Sequence, residues 1–214
     1  ETAHKLTTIV FDKTGTLTKG QPEATDIVVL DTKFVENDIV KFAAIAEKGS
    51  EHPLADAMIN YAKNKEITIA DASHFEAVSG KGVAAKYKSY SIVLGNNKLI
   101  EQYKISINDE IKQKIRQLEE QGKTTVILAI NKSVTGLIAI ADTLKENSKE
   151  AIERLKKLGI ETIMITGDNE LVAKAIASQV GIDEVLAEVL PQYKENEIKK
   201  LQKSNKIVAM VGDG

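Results

Sequence analysis

The chain has 214 residues, of which 43% are apolar, and its 29 Lys and Arg nearly balance 31 Asp and Glu for a net charge of −2. This length allows one large domain or two small ones, each with its own core. The near-neutral charge gives no indication of a nucleic-acid partner, and we expect none. The absence of cysteine excludes disulfides, thiolate metal sites and cysteine nucleophiles.

The sequence shows no sign of a membrane span. No apolar run approaches the roughly 18 residues that a membrane helix needs, and the first residues lack the layout of a signal peptide. We therefore expect a soluble chain. It begins within a few residues of an apparent strand and stops directly after another, so we interpret it as a fragment of a longer protein.

The first predicted strand ends in a single acidic residue. The apolar residues 7–11 lead to Asp12, which is followed by the Gly- and Thr-rich turn 13–18. Open α/β sheets bind ligands at the carboxyl ends of their strands, and a carboxylate placed there can attack phosphorus. The N–H groups of the turn can hold a phosphoryl group. The pattern predicts that Asp12 is the nucleophile of a phosphoryl transfer.

The middle of the chain has a different pattern. Asn37 and Asp38 open a predicted helix that ends near Gly49, and a second helix starts at Pro53. A third helix is predicted at about 108–121. Alternating or apolar stretches separated by polar turns indicate an antiparallel meander, with strands at 82–87, 90–94, 124–130 and 134–140.

The last third returns to the pattern of the first strand. Apolar runs at 160–165 and 206–211 alternate with amphipathic helices at about 146–158 and 170–180. This alternation is typical of βα units in a parallel sheet.

Together these elements predict an α/β protein built from two domains. The first is a discontinuous, Rossmann-like parallel-sheet domain formed by residues 1–21 and 141–214. An α+β domain with an antiparallel sheet, residues 22–140, is inserted into it. The two connecting segments, near residues 20–22 and 141–143, are predicted to act as a hinge.

Four distant segments carry groups suited to phosphoryl transfer, and all but Lys194 directly follow a strand. They are Asp12 with Thr14, Thr166-Gly167-Asp168, Lys194, and Gly212-Asp213. Because loops after parallel strands emerge at one edge of the sheet, we expect these groups to converge. The chemistry then predicts that the Thr166 hydroxyl binds phosphoryl oxygens, that Lys194 neutralises charge, and that Asp213 with Asp12 holds Mg²⁺. Asp168 has two open interpretations, a chemical role or a helix N-cap.

This constellation resembles the haloacid dehalogenase superfamily. The string Asp12–Thr18 resembles, more specifically, the phosphorylation loop of P-type ATPases, cation pumps that pass through an aspartyl phosphate. Residues 166–169 and 210–214 are similar to that family's two later motifs and come in the same order. The resemblance implies Mg²⁺ and ATP as cofactors and Lys13, Thr14 and Gly167 as further catalytic residues. It also implies that Thr14 is a metal ligand beside Asp12 and Asp213.

Thr14 separates the pump interpretation from the phosphatase one. Phosphatases of the superfamily usually have a second aspartate two residues after the nucleophile, where it acts as acid and base. A threonine cannot transfer protons near neutral pH, so the sequence predicts a phosphoenzyme that persists.

The inserted domain contains a second set of motifs. Residues 50–54, Ser-Glu-His-Pro-Leu, resemble the histidine-proline signature of the nucleotide-binding domain in heavy-metal P-type ATPases. Pro53 suits the first turn of a helix, which places His52 at the N-cap. The resemblance implies that the adenine and ribose of ATP are surrounded by Glu47, His52, Gly80, Gly82, Gly95 and Asn96.

The resemblance implies that the chain is the catalytic, ATP-hydrolysing fragment of a heavy-metal, copper-type P-type ATPase, an ATP-driven metal cation translocase that forms an aspartyl phosphate at Asp12. Its partners would be ATP and the membrane and actuator domains of the same parent, an integral membrane protein at whose cytoplasmic face the fragment lies. The transported metal would not bind this fragment; zinc, cadmium and cobalt stay open beside copper. Two alternatives are a soluble phosphatase of the same superfamily with a cap insert, and a nucleotide-sensing module with a vestigial site.

Overall fold

The computed structural model describes residues 5–212, and the chain divides into two compact units. The first unit comprises Glu1–Gln21, Glu119–Gly122 and Asp142–Gly214; the second comprises Pro22–Leu118 and Lys123–Ala141. The limits at Gln21 and Asp142 lie within one residue of the predicted domain boundaries, whereas the sequence pattern gave no indication of the short piece Glu119–Gly122.

The described residues contain ten strands and seven α-helices. In chain order the strands are β1 (Thr8–Asp12), β2 (Thr18–Val29), β3 (His74–Val78), β4 (Gly82–Tyr87), β5 (Tyr90–Gly95), β6 (Thr124–Ile130), β7 (Ser133–Leu144), β8 (Glu161–Ile165), β9 (Glu184–Leu186) and β10 (Val208–Val211). The helices are α1 (Glu36–Glu47), α2 (Pro53–Asn64), α3 (Asn97–Gln102), α4 (Asp109–Glu119), α5 (Ser148–Lys157), α6 (Glu170–Val180) and α7 (Lys194–Lys203). Between residues 5 and 212, no helix is long and apolar enough to cross a membrane.

The first unit contains a four-stranded parallel sheet in the order β10-β1-β8-β9. One face packs against α5 and α6, and the other is covered by Ile198 and Leu201 of α7. Because helices cover both faces, β1 and β8 are each buried at four of five positions, and each contains three consecutive apolar residues, Ile9–Phe11 and Ile163–Ile165. The predicted parallel α/β architecture is confirmed.

The second unit is built on a six-stranded sheet in the order β2-β7-β6-β5-β4-β3, whose neighbours from β3 to β7 pair antiparallel. One face packs against α1 and α2, and the opposite face packs against α3 and α4. The predicted α+β insert with an antiparallel sheet is confirmed.

The ends of two helices follow from their local sequence. Pro53 is the first residue of α2, where its missing N–H has no helical partner to lose. The α6 helix ends at Gly181, which adopts φ +80° and donates its N–H to the Ala177 carbonyl. Both boundaries agree with the prediction from the sequence.

The sequence pattern missed β2, β3, β9 and α3. Strands β2, β3 and β9 lie at the edges of their sheets and have mostly exposed or half-buried side chains. An edge strand tolerates polar residues, Gly20 and Pro22 because it pairs on one side only. The helix α3 is only six residues long and therefore carries too little periodicity to predict.

Candidate functional site

Asp12 is the last residue of β1 and lies between two neighbouring strands. The register pairs Asp12 with Ile165 of β8 and Phe11 with Val211 of β10. Thr166 and Gly212, which follow those two strands, therefore flank Asp12 at the carboxyl edge of the sheet. Lys194 comes from the start of α7 and places its Nζ 2.5 Å from Asp12 Oδ2. The structure thus brings Thr166, Lys194 and Gly212 together around the Asp12 carboxylate.

The Asp12–Lys194 ion pair is partly exposed to solvent. The side chains are 17% and 21% exposed, so a ligand can reach the carboxylate while Lys194 remains beside it. A cation at this distance stabilises the negative charge of the carboxylate and of any phosphoryl group bound next to it.

Asp168 links two of the predicted catalytic groups. Its carboxylate forms an ion pair with the Lys13 ammonium, with side-chain exposures of 14% and 11%, and accepts a hydrogen bond of 2.9 Å from the Thr166 hydroxyl. The Asp168 N–H in turn donates to Thr166 Oγ1 at 3.1 Å. The N-cap interpretation of Asp168 is wrong, because α6 begins at Glu170 and its N-cap is Asn169, whose side chain accepts from the Val172 N–H.

The remaining predicted residues of this edge differ in what the structure says of them. Thr14 is exposed in the turn that follows Asp12, with extended backbone angles of −74° and 130°. A Cβ on Gly167 would lie 3.7 Å from the Val189 carbonyl, an ordinary contact, so packing alone does not require glycine there. Asp213 lies outside the described residues.

The donors at this edge are oxygens, which are the ligands that Mg²⁺ prefers. Asp12 offers a partly exposed carboxylate, and Thr14 is accessible in the neighbouring turn. Across residues 5–212 there is no group of three or more His, Cys, Asp or Glu that could hold a metal by itself. Mg²⁺ commonly keeps several waters and takes one or two carboxylates plus phosphate oxygens, so the donor set fits this ion.

In the second unit, Glu47 is a buried carboxylate with an incomplete set of partners. It is the last residue of α1 and is 7% exposed. Its Oε2 has no hydrogen-bond partner among the described residues. Burial raises the pKa of Glu47 above its ordinary 4.5, and a hydrogen bond from Ser50 offsets part of this effect. A buried acceptor without a donor is unusual, and a bound ligand with an N–H group would satisfy it.

His52 lies at the N-cap of α2, as predicted. Its Nδ1 accepts a hydrogen bond of 3.2 Å from the Leu54 N–H, so the neutral ring carries its proton on Nε2. The side chain is exposed, and the cap fixes its position at the start of the helix.

The predicted glycines and Asn96 form one connected structure. Gly82 and Gly95 face each other across β4 and β5, where a Cβ on Gly82 would lie 2.2 Å from the Leu94 carbonyl oxygen. The Asn96 amide donates to the Gly80 carbonyl at 3.0 Å, while its Oδ1 caps α3 by accepting from the Leu99 N–H at 3.2 Å. The structure brings all four residues together, and it gives each of Gly82, Gly95 and Asn96 a structural role that the sequence analysis did not foresee.

Comparison with known proteins places these two sites in context. Residues 6–214 match the family model for haloacid dehalogenase-like hydrolases. The copper-exporting P-type ATPase of Staphylococcus aureus strain JH9 is 47% identical over 214 residues, and that of strain Newman is 46% identical. Each match covers 100% of this chain and 26% of the relative, so the chain spans about a quarter of the length of these relatives.

Solved structures give the same result. A crystal structure of a zinc-transporting PIB-type ATPase in the E2.Pi state has a TM-score of 0.68 and 35% identity, covering 100% of this chain and 34% of the other. The catalytic domain of the CPx-ATPase CopB-B has a TM-score of 0.72 and 28% identity, covering 100% of this chain and 73% of the other. The resemblance stated from the sequence motifs is confirmed: the chain belongs to the haloacid dehalogenase-like hydrolases and is similar over its whole length to the catalytic part of heavy-metal P-type ATPases.

Proposed function

We propose that this chain transfers the γ-phosphoryl group of ATP to Asp12, as the catalytic fragment of an ATP-driven metal cation translocase. The observation that supports this most directly is the position of the Asp12 carboxylate, at the end of a parallel strand, 2.5 Å from the Lys194 ammonium. In this proposal the first unit is the phosphorylation domain and the second is the nucleotide-binding domain.

The proposed reaction is a displacement at phosphorus. An Asp12 carboxylate oxygen forms the new bond to the γ-phosphorus, the bond from phosphorus to the bridging oxygen breaks, and ADP leaves with that oxygen. Lys194 compensates the charge of the transferring group, and the Thr166 hydroxyl and neighbouring N–H groups bind its oxygens. Lys13 adds a second cation at this edge, and Gly167 follows Thr166 in the same loop.

Mg²⁺ fits this site as the counter-ion of the phosphates. Asp12, Thr14 and Asp213 would hold it, and when bound it would supply charge compensation for the transferring group. The charges of Lys13 and Lys194 are already present at the same sheet edge.

We propose that the second unit binds the adenosine part of ATP through Glu47, His52, Gly80, Gly82, Gly95 and Asn96. The exocyclic amine of adenine is an N–H donor, which is what the unpartnered Glu47 oxygen lacks. The Cβ positions of Gly82 and Gly95 point at neighbouring backbone, so we propose that these glycines keep the turn compact and that the backbone of the turn contacts the nucleotide.

Thr14 favours the pump over the phosphatase interpretation. It stands where superfamily phosphatases usually have their acid–base aspartate, and its hydroxyl cannot activate a water near neutral pH. The phosphoenzyme would therefore last long enough to drive another process.

For the whole protein we propose export of copper, in line with the names of the Staphylococcus aureus relatives. The membrane and actuator domains of the same parent protein would be the partners of this fragment, which would act at the cytoplasmic face of the membrane. In this proposal the transported metal binds in the membrane domain of the parent and not in this fragment.

Labelling with γ-labelled ATP tests the reaction. The unmodified chain should acquire acid-stable label with Mg²⁺, and Asp12→Asn should acquire none while it still binds ATP. Asp71→Asn, which changes a carboxylate that is 85% exposed in the second unit, is the matched control and should label normally. Persistent label on Asp12→Asn would overturn the assignment of the nucleophile.

A second experiment tests the nucleotide site alone. His52→Gln should weaken ATP binding at least several-fold in an NMR titration without altering the amide spectrum of the first unit. Nucleotide-induced shifts equal to those of the unmodified chain would contradict a role for His52 in ATP binding.

A further inference from the structure

The turn that follows Asp12, residues Lys13–Leu17, is held from one side by the segment at the start of α5. The Leu17 carbonyl accepts hydrogen bonds from the Lys145 N–H at 2.9 Å and from the buried Ser148 hydroxyl at 2.7 Å. The Lys145 ammonium donates to the Gly15 carbonyl. Two residues of one segment therefore anchor two alternate carbonyls of the turn.

A third carbonyl of the turn is held by Thr18, the residue that follows the turn. The Lys13 carbonyl lies 3.0 Å from the Thr18 hydroxyl oxygen, which is also 2.6 Å from Asp142 Oδ2, and it accepts the Thr18 N–H. The carbonyls of residues 13, 15 and 17 thus all have partners.

These anchors determine where the N–H groups of the turn point. In a planar trans peptide the C=O and the N–H of the next residue point in opposite directions. The Gly15 carbonyl points toward Lys145, so the Thr16 N–H points away from Lys145. The Lys13 carbonyl points toward Thr18, so the Thr14 N–H points away from Thr18. Gly15 has φ +75°. In other proteins, turns in which successive backbone N–H groups point into one concavity bind anions.

We propose that Lys145 and Ser148 are positioning residues of the Asp12 site. They hold the turn so that its N–H groups face a phosphoryl group on or beside Asp12, without contacting that group themselves. This inference rests on the proposed phosphoryl transfer to Asp12. It assigns Lys145 a hydrogen-bonding role and not a role as a general positive charge, since an exposed side chain contributes little by charge alone.

Lys149 provides the matched control. It lies in the first turn of α5 and is exposed, like Lys145, but among the described residues no hydrogen bond or ion pair joins it to the turn. Lys149→Ala therefore removes one positive charge from the same region without removing an anchor.

The experiment uses the full chain and beryllium fluoride with Mg²⁺ as a mimic of the phosphoryl group. Binding is measured by calorimetry, and ¹⁵N–¹H spectra report the amides of Gly15 and Thr16. We expect Asp12-dependent binding by the unmodified chain, about tenfold weaker binding by Lys145→Ala and Ser148→Ala, and binding within about threefold of the unmodified chain for Lys145→Arg. Lys149→Ala should bind normally, and ATP binding by the second unit should not change in any of these variants.

Three results would overturn the inference. These are unchanged binding in both Lys145→Ala and Ser148→Ala, equal losses in Lys145→Ala and Lys149→Ala, or a loss in Lys145→Ala that Lys145→Arg does not restore. Because Lys145 is exposed, its variants test the inference even if Ser148→Ala does not fold.

Residual dipolar couplings of the Thr16 N–H bond, whose peptide contains the Gly15 carbonyl that Lys145 holds, separate this inference from the proposed function when they are measured without ligand. A reoriented N–H bond in Lys145→Ala supports the positioning role of the segment even if beryllium fluoride does not bind. Failure of the unmodified chain to bind beryllium fluoride would overturn only the proposed function. Unchanged couplings overturn the inference whatever the ligand does.

Discussion

Substitution of Gly82 tests whether a residue of the proposed nucleotide site also stabilises the second unit. Gly82 has φ +138°, and a Cβ placed on it would lie 2.2 Å from the Leu94 carbonyl oxygen and 2.5 Å from Gly95 Cα. The unfavourable backbone conformation costs about 1–3 kcal/mol for a residue other than glycine, and overpacking against backbone costs about 1–3 kcal/mol. Gly82→Ala should therefore destabilise the second unit by about 2–6 kcal/mol.

Gly159→Ala is the control for this substitution. Gly159 has φ +74°, and a Cβ there would meet no atom within 4 Å, so only the conformational cost of about 1–2 kcal/mol applies. Urea unfolding followed by circular dichroism measures both variants. Tyrosine fluorescence reports mainly on the second unit, which contains four of the five tyrosines, Tyr61, Tyr87, Tyr90 and Tyr103. A cost for Gly82→Ala no larger than that for Gly159→Ala would refute the steric argument.

Substitutions at three further positions test individual groups. Because burial raises the pKa of Glu47, the folded state binds its proton more tightly than the unfolded state, and stability falls as pH rises from 4.5 through the raised pKa. The unfolding free energy of Glu47→Gln should therefore increase relative to that of the unmodified chain between pH 4 and pH 7. A difference between the two that does not depend on pH would contradict this. Thr14→Asp should shorten the life of the phosphoenzyme about 100-fold in a chase of labelled protein, and an unchanged life would argue against the acid–base reasoning. Asn96→Ala should destabilise the second unit by about 2 kcal/mol in urea, from the lost α3 cap and the lost bond to Gly80, with Asn96→Asp intermediate because it keeps the cap acceptor.

Elements with a strong sequence pattern were predictable because their packing matches their periodicity. The α6 helix carries Val172, Ile176 and Val180 on one buried face and ends at Gly181, so both the face and the end could be read from the sequence. The edge strand β3 was not predicted, because it is only five residues long and none of its side chains is buried, so its sequence carries no apolar run.

The residues of the candidate catalytic edge could be predicted from the sequence, but the ion pairs among them could not. Asp12, Thr166 and Lys194 were identified from motifs and from the rule that parallel strands end at one edge. The ion pair between Lys13 and Asp168 was not predictable, because both side chains belong to the same edge and sequence alone does not say which cation meets which carboxylate. The burial of Glu47 was equally hidden, since a glutamate at a helix end is usually exposed.

The order of strands in the parallel sheet also bears on how the protein forms during synthesis. Asp12 is made early, but its partner Lys194 follows 182 residues later, and β8 and β10 also belong to the last third of the chain. The antiparallel strands β3 to β7, by contrast, each pair with the next strand in the sequence. Local pairings form faster than distant ones, so we expect the second unit to fold while the ribosome is still adding the residues that complete the first. The Asp12 carboxylate would then meet Lys194 only at the end of folding, after the antiparallel unit has formed.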